Sequence, residues 1–230
     1  QAIRSIVHNS FPDHAFVGEE NDWEDPNLAA ESGAGDQGIH SLAEFVWLVD
    51  PLDGTTNYVH GVPHYAVSVA IARRSDDQIL AGSIFDPVSE ECFTASVGQG
   101  AWLGDKRLKT SGISDLESAL VACSVPSRVG PKDETVARLA RVAGRCQAFR
   151  RFGSSALALA YIAAGRFDAY WATDVKPWDV AAGVLLIREA GGVVVGMDGL
   201  PLNLWEPRLV ASSTDELGRE LHSAFGIPGS

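Results

Sequence analysis

A continuous apolar run, FVWLV over residues 45–49, ends on Asp50 and is followed at once by Pro51. Such a run predicts a buried strand, and the proline after it interrupts the ladder of hydrogen bonds. We therefore expect the strand to end at a sheet edge and to present Asp50 there. Asp53 follows three residues later, so the two carboxylates can converge and offer the oxygen ligands that a hard divalent cation prefers.

Gly54, Thr55 and Thr56 come directly after this pair of aspartates. They are placed to open a short helix whose free N–H groups and positive dipole end can hold a phosphate. A cation site and an anion site would then be adjacent. On local spacing alone, DPLDGT is equally compatible with an ordinary turn between a strand and a helix.

Further acidic residues stand at two other predicted element ends. Glu19 and Glu20 close the strand-like segment AFVGEE, and Asp179 opens the helical segment WDVAAGVLLIREAGG just after Pro177. Taken alone, the glutamates suit a solvated strand end, and Asp179 suits a helix N-cap. Local pattern therefore leaves the structural and the metal-binding interpretations open.

The rest of the chain predicts two sheets packed among helices. Ile3, Ile6 and Val7 have helical spacing, and the stretch Asn21–His40 resembles an exposed loop. Runs such as YAVSVAIAR and ILAGSIFD predict hairpins up to about residue 108, after which strands and helices alternate. We expect alternating helix and sheet layers of the α/β (α+β layered) class, in one domain over 1–230 with approximate lobes 1–125 and 126–230.

Composition narrows the classes of partner. The 230 residues include 30 acidic and 18 basic side chains, and a formal charge of -12 opposes binding to nucleic acid or to an anionic membrane. Three widely spaced cysteines without a CxxC pair favour a reduced, cytoplasmic setting. No apolar run approaches the roughly 18 residues of a membrane span.

Three segments in this order, GEE, WLVDPLDGTTNYVHG and WDVAAGVLLIREAGG, resemble the inositol monophosphatase family of magnesium-dependent, lithium-sensitive phosphatases. Intervening segments such as RRFGSSALALAYIAAGRFDAYW are also similar, so the resemblance covers nearly all of the chain from Phe16 onward. It implies the sugar-phosphatase fold of that family, hydrolysis of a small phosphate monoester, and a homodimer. It also implies an N-terminal helical segment that would precede Ile3 and is absent from the sequence given.

The resemblance implies a set of metal ligands. Glu19, Asp50 and the backbone carbonyl of Leu52 would hold one Mg²⁺, and Asp50, Asp53 and Asp179 would hold a second. Asp50 would bridge the two ions, and a third, weaker ion would use the same glutamate. Two or three Mg²⁺ ions per site are therefore expected.

The resemblance also implies how substrate and water are held. The N–H groups of Gly54 and Thr55 would take phosphate oxygens, and the Thr55 hydroxyl with Glu19 would orient and deprotonate the attacking water. Asp50 belongs to this catalytic group through its bridging role. The substrate contacts implied or expected are Asp53, Gly54, Thr55, Ser155 and Asp179.

The substrate is less constrained than the reaction. The first candidate substrate is an inositol 1-phosphate-like compound, and the next is histidinol phosphate. Fructose 1,6-bisphosphate and 3′-phosphoadenosine 5′-phosphate are further candidates, because other relatives hydrolyse them. The family glutamate that binds a sugar hydroxyl is Ala172 here, which weakens the case for inositol. A catalytically silent dimeric regulatory protein is the alternative from another class.

Overall fold

The computed structural model describes residues 1–19, 43–126, 130 and 133–227. The predicted loop Asn21–His40 and Glu20 lie outside these residues. Within them, twelve strands and six helices form two sheets with helices between and beside them. This arrangement confirms the predicted class of alternating helix and sheet layers. The division into lobes at residue 125 stays a prediction.

The larger sheet has seven strands in sequential order. They are β1 (Ala15–Gly18), β2 (Phe45–Asp53), β3 (Ala66–Arg73), β4 (Gln78–Asp86), β5 (Glu91–Ser96), β6 (Gly100–Leu103) and β7 (Lys106–Arg107). Strand β1 is parallel to β2, and every later pair is antiparallel, as the predicted hairpins require.

The smaller sheet has five strands in the order β11-β12-β10-β8-β9. They are β8 (Leu120–Ser124), β9 (Ala148–Arg150), β10 (Ala169–Ala172), β11 (Val193–Gly196) and β12 (Leu209–Ser212). Strand β8 runs parallel to both β9 and β10, whereas β12 is antiparallel to β10 and β11.

The six helices of the described residues are α1 (Ala2–Ser10), α2 (Thr55–Val59), α3 (Glu134–Ala143), α4 (Ser155–Ala163), α5 (Pro177–Glu189) and α6 (Asp215–Ala224). Helices α4 and α5 are apolar on nearly all sides and almost wholly buried. They pack closely, because a β-carbon at Gly183 would collide with the side chain of Leu159. This pair forms the central layer.

Two apolar clusters define the layers. One joins the large sheet, α4 and α5 to the face of the small sheet that carries Tyr170 and Ala172. The other joins the opposite face, with Trp171, to α3 and α6. Alternate residues of β10 therefore belong to different clusters, as a strand buried on both faces requires.

The C-terminal end of α5 is attached to a hairpin turn of the large sheet. The Glu189 carboxylate accepts the backbone N–H groups of Gly98 and Gly100, each at 2.7 Å. Bonds from two N–H groups to one carboxylate are charge-assisted and short. They fix the end of α5 to the β5–β6 turn. None of the helices in the described parts of the chain is long and apolar enough to cross a membrane.

Candidate active site

Strand β2 brings Asp50 and Asp53 together through a β-bulge. Side chains three residues apart on a regular strand point to opposite faces. Here Asp50 lies opposite Ser68 of β3 and Asp53 lies opposite Ala66, so three steps on one strand match two on the other. The extra residue turns both carboxylates to one side, and Pro51 within the bulge has no N–H to leave unpaired. The sequence predicted a strand end at Asp50, but the strand continues to Asp53.

Asp50 is buried, with only 2% of the residue exposed. Its Oδ1 accepts the backbone N–H of Leu52 at 2.8 Å. The carbonyl oxygen of Leu52 in turn accepts the hydroxyl of Thr55 at 3.0 Å. These two bonds hold the predicted bridging carboxylate, carbonyl ligand and catalytic hydroxyl in one short turn.

Asp53 reaches the start of α4, about one hundred residues further along the chain. Its Oδ2 accepts the hydroxyl of Ser154 and, at 2.8 Å, the backbone N–H of Ala156. Ser154 is also the N-cap of α4, because its Oγ accepts the N–H of Leu157 at 3.2 Å. The carboxylate therefore lies at a helix N-terminus, where free N–H groups and the dipole favour negative charge.

Asp179 occupies the first turn of α5. Its Oδ2 accepts the backbone N–H of Lys176, the N-cap residue, at 2.8 Å. The Ser68 hydroxyl donates to the carbonyl oxygen of Trp178 at 3.0 Å, which ties this turn to β3. The interpretation of Asp179 as a helix-capping residue is thus correct in part: Lys176 is the N-cap, and the Asp179 side chain helps to cap the helix. The same side chain also belongs to the acidic cluster.

Oxygens of Asp50, Asp53 and Asp179 all lie within 4.8 Å of one another. Burial, and then repulsion by Asp53, raises the pKa of Asp50 to about 8. Burial likewise raises the pKa of Asp179 to about 7 and that of Asp53 to about 6, although hydrogen bonds from Ser154 and Ala156 oppose the shift at Asp53. A cation between the three carboxylates would offset the cost of burying their charges and the repulsion between them. Their oxygen donors fit a hard divalent ion such as Mg²⁺.

Glu19 lies at the same sheet edge but outside this close group. It follows Gly18, which pairs with Val49 in the parallel β1–β2 ladder, so Glu19 leaves the sheet beside Asp50. Its charge contributes to the raised pKa values of the three aspartates. Its side chain is exposed, and among the described residues the oxygens within 4.8 Å of one another come from the three aspartates alone.

The predicted short helix after Asp53 is present as α2. Its N-cap, Gly54, has φ +93°, and a β-carbon there would lie 2.9 Å from the carbonyl oxygen of His64. Both the left-handed backbone and the close approach require glycine. The Asn57 amide donates to the carbonyl oxygens of His64 at 2.7 Å and Phe152 at 3.1 Å, so α2 is held between two loops.

A cavity of about 360 Å³ adjoins the cluster and is lined in part by Ser154 and Ser155. The Tyr170 hydroxyl donates to Ser155 Oγ at 2.8 Å. Ala172, two residues along β10, lies on the same strand face as Tyr170 and is fully buried. The predicted substrate contact at Ser155 is therefore placed beside Asp53.

A model of the inositol monophosphatase family matches residues 1–226, nearly the whole chain. The chain belongs to the inositol monophosphatase family. The resemblance noted from the three segments is thereby confirmed, and the family is one of metal-dependent phosphatases.

Relatives and solved structures of the family agree with this assignment. The Nus factor SuhB of Pseudomonas aeruginosa is 39% identical over 217 residues, covering 93% of this chain and 75% of that protein. An inositol-1-monophosphatase of Rhizobium meliloti is 40% identical over 198 residues, covering 86% and 68%. The structure of inositol monophosphatase from Anabaena superimposes with a TM-score of 0.82 at 34% identity, covering 99% of this chain and 84% of that one. This likeness confirms the predicted fold.

Sequence reasoning about the inositol monophosphatase motifs placed the loop of Gly153, Ser154 and Ser155 at the substrate pocket, but it missed how Ser154 and Ser68 support the aspartates. Ser154 binds Asp53, and Ser68 holds the turn that carries Asp179. Ser154 had a recognisable signal, since a serine before ALALAYIAAG is a typical N-cap. Ser68 had none, because an alternating strand pattern does not show which buried serine will meet a helix 110 residues away.

Proposed function

We propose that this chain is a Mg²⁺-dependent phosphomonoesterase that hydrolyses a small phosphate monoester with an activated water molecule. The observation that carries the proposal is the group of three aspartates, two of them buried, one of which, Asp53, directly precedes a glycine-capped helix start. Asp50, Asp53 and Asp179 would hold the cations, with the Leu52 carbonyl and Glu19 completing the set. When bound, the cations supply Lewis acidity to the phosphoryl oxygens and lower the pKa of water in the site.

The start of α2 is proposed to hold the phosphate. The N–H groups of Gly54 and Thr55 follow Asp53 directly, so a phosphate held near the cluster would meet them. Helix N-termini bind such anions through free N–H groups. Positioning of this kind carries most of the catalysis of phosphoryl transfer, because the transition state is loose and charge is spread over the phosphoryl oxygens.

Thr55 and Glu19 are proposed to position the water. The Thr55 hydroxyl donates to the Leu52 carbonyl, so its lone pairs remain to accept a hydrogen bond from water. The Glu19 carboxylate would take a proton from that water while the water oxygen forms its bond to phosphorus. The bond from phosphorus to the leaving oxygen breaks in line, and that oxygen takes up a proton to give an alcohol and inorganic phosphate.

The substrate is proposed at the level of its class. An inositol 1-phosphate-like compound is favoured by relatives that are named inositol-1-monophosphatase. Histidinol phosphate, fructose 1,6-bisphosphate and 3′-phosphoadenosine 5′-phosphate are the alternatives. Ala172 removes the carboxylate that the family resemblance places against a sugar hydroxyl, so discrimination in favour of inositol would have to come from other groups.

Phosphate release from these four compounds tests the proposal, measured with Mg²⁺, with EDTA and with added Li⁺. Turnover of at least one compound that requires Mg²⁺ and is inhibited by Li⁺ is expected. Asp53→Asn should abolish it, whereas Asp105→Asn, an exposed change in the β6–β7 turn, should not. No turnover of any compound, or equal turnover by Asp53→Asn, would refute the proposal.

One relative supports a second candidate. The Pseudomonas aeruginosa protein is named as a Nus factor and not as a phosphatase, which favours the catalytically silent dimeric regulatory protein. Equilibrium dialysis with Mn²⁺ separates the candidates, since saturable binding lost in Asp53→Asn favours the metalloenzyme. We further propose a cytoplasmic homodimer, in keeping with the three free cysteines.

A further inference from the structure

The cavity beside Asp53 has an unusual charge for a chain with a formal charge of -12. Its described lining contains Arg151 and several hydroxyl-bearing residues, among them Ser124 and Ser155, and no Asp or Glu. The cavity therefore differs in sign from the acidic cluster that it adjoins. A ligand that spans both would meet cations and helix N–H groups at one end and Arg151 at the other.

Among the described residues, no neighbouring acid neutralises the charge of Arg151. Its Nη2 donates to the carbonyl oxygen of Val125 at 3.2 Å, and no Asp or Glu oxygen of the described residues lies within 4.0 Å of it. The other ionisable groups of the lining stay neutral. Burial raises the pKa of the Cys123 thiol to about 12, against the opposing effect of Arg151, and burial also raises the pKa of Tyr170.

Ser155 lines the cavity and has a proton left to donate. Its Oγ accepts the Tyr170 hydroxyl at 2.8 Å, which leaves the Ser155 proton for another acceptor. The proton of Ser154, in contrast, is already donated to Asp53, and its Oγ also accepts the N–H of Leu157. The lining thus offers a positive charge and a hydroxyl donor within one cavity, a combination that suits an anion.

Ala172 has no charged or hydrogen-bonding group in its side chain. It pairs with Ser124 across the β8–β10 ladder and shares a strand face with Tyr170, and both of these residues line the cavity, although Ala172 itself is buried in the core. A methyl group there adds neither charge nor an acceptor. A neutral polyol, whose hydroxyls need acceptors, finds no carboxylate among the described lining residues.

We propose that this cavity binds a second anionic group, a carboxylate or a phosphate, on the leaving group of the substrate. The preferred substrates are then phosphate monoesters that carry another negative charge. Among the candidate substrates, this favours fructose 1,6-bisphosphate and 3′-phosphoadenosine 5′-phosphate over the inositol 1-phosphate-like compound that the names of the relatives suggest. This inference rests on the proposed phosphatase function. The second anion is not altered in the reaction; it holds the ester in place while phosphate is released.

Two matched substrate pairs test the proposal. Glycerol 2-phosphate and 2-phosphoglycerate differ only in a hydroxymethyl group against a carboxylate, and fructose 6-phosphate and fructose 1,6-bisphosphate differ in a second phosphate. The expected kcat/KM is about tenfold higher for the more anionic member of at least one pair, as a charge-assisted contact of ordinary strength gives. The pair that responds identifies the anion.

The Arg151→Gln variant should reduce this preference to within about twofold. Arg150→Gln is the matched control, because Arg150 is adjacent to Arg151 and is exposed like it, donates to the Phe149 carbonyl, and is not among the described residues that line the cavity. It should keep the preference. An equal kcat/KM within both pairs, or a preference that Arg151→Gln leaves unchanged, overturns the inference while the phosphatase function stands.

Stabilisation of the protein by ligands separates the proposed phosphatase function from the proposed anion site. The melting temperature is measured in Mg²⁺ with each of the four compounds, a readout that needs no turnover. If no compound is hydrolysed but the anionic members stabilise the wild type more than Arg151→Gln, the phosphatase proposal fails and the anion site stands. Equal stabilisation within both pairs overturns the anion site.

Discussion

The Ser68 hydroxyl donates a hydrogen bond to the carbonyl oxygen of Trp178, and this bond fixes the first turn of α5 to the large sheet. Ser68 lies opposite Asp50 in the β2–β3 ladder, and Trp178 directly precedes Asp179. A single buried contact therefore sets how far apart two of the three clustered carboxylates lie. Ser68 is a positioning residue, because it is not itself among the proposed ligands.

Replacing Ser68 with alanine should loosen this positioning. Loss of the buried hydrogen bond should lower the free energy of unfolding by about 1 kcal/mol. It should also raise the Mg²⁺ concentration needed for half-maximal activity. Urea unfolding in EDTA and a Mg²⁺ titration of activity measure the two effects. Ser96→Ala, an exposed change in the same sheet, is the control, and equal Mg²⁺ dependence of the two variants would contradict the positioning role.

Asp50→Asn should stabilise the metal-free protein and abolish its response to cations. Asparagine removes a buried charge that is repelled by its neighbours, yet its Oδ1 can still accept the Leu52 N–H. At pH 8 in EDTA, we expect the free energy of unfolding to rise by roughly 1–3 kcal/mol. Addition of Mg²⁺ should then stabilise the wild type but not the variant. A less stable variant in EDTA would show that the charge is compensated in the metal-free protein.

Stability of the metal-free protein should fall as pH rises from about 5 to about 8.5. The pKa values of Asp53, Asp179 and Asp50 in the folded protein, about 6, 7 and 8, lie above the value of 3.8 for a free aspartate. The folded state therefore binds more protons than the unfolded state, and its advantage is lost as pH passes through these values. Urea unfolding in EDTA across this range measures the slope.

Magnesium should flatten that pH dependence, because a bound cation favours the ionised carboxylates. Glu91 does not interfere in this window, since its contact with Arg166 lowers its pKa and acts only at lower pH. A free energy of unfolding that stays level or rises with pH in EDTA would contradict the raised pKa values.

Gly54→Ala should abolish activity, whereas Gly61→Ala should affect it little. Both glycines have positive φ, at +93° and +70°, so both substitutions strain the backbone by about 1 kcal/mol. Of the two, only Gly54 would place its new β-carbon against other atoms, since no atom of the described residues lies within 4 Å of one at Gly61. Thermal unfolding of both variants measures the backbone strain, and steady-state kinetics measure the loss of activity that displacement of α2 causes. Equal loss of activity in both would refute a special role for Gly54.

Local pattern was sufficient for most elements of the fold. Strand β3 alternates buried and half-buried residues from Ala66 to Arg73, and that period of two is visible in YAVSVAIAR. Helix α2 followed from Gly54 after Asp53, and α5 from Pro177 before a long apolar segment. These signals are local, because each depends on residues within one or two turns.

The site geometry could not be predicted in the same way. The bulge at Pro51 is defined by its pairing with β3, and the bond from Ser154 to Asp53 joins residues 101 positions apart. Neither is encoded in a short window. The segment 20–42, which includes Glu20 and the predicted loop, lies outside the described residues, so the expectation for it stays a prediction.

Helix α5 is secured at both ends, by Ser68 near its start and by Glu189 at its finish. Thirteen helical residues span about 20 Å, so the β5–β6 turn and the acidic cluster lie at opposite ends of one rigid rod. Lengthening or shortening the β5–β6 turn would move Glu189 and shift helix α5 along its axis. Substitutions at Gly98 and Gly100, remote from any reacting atom, should therefore disturb the placement of Asp179.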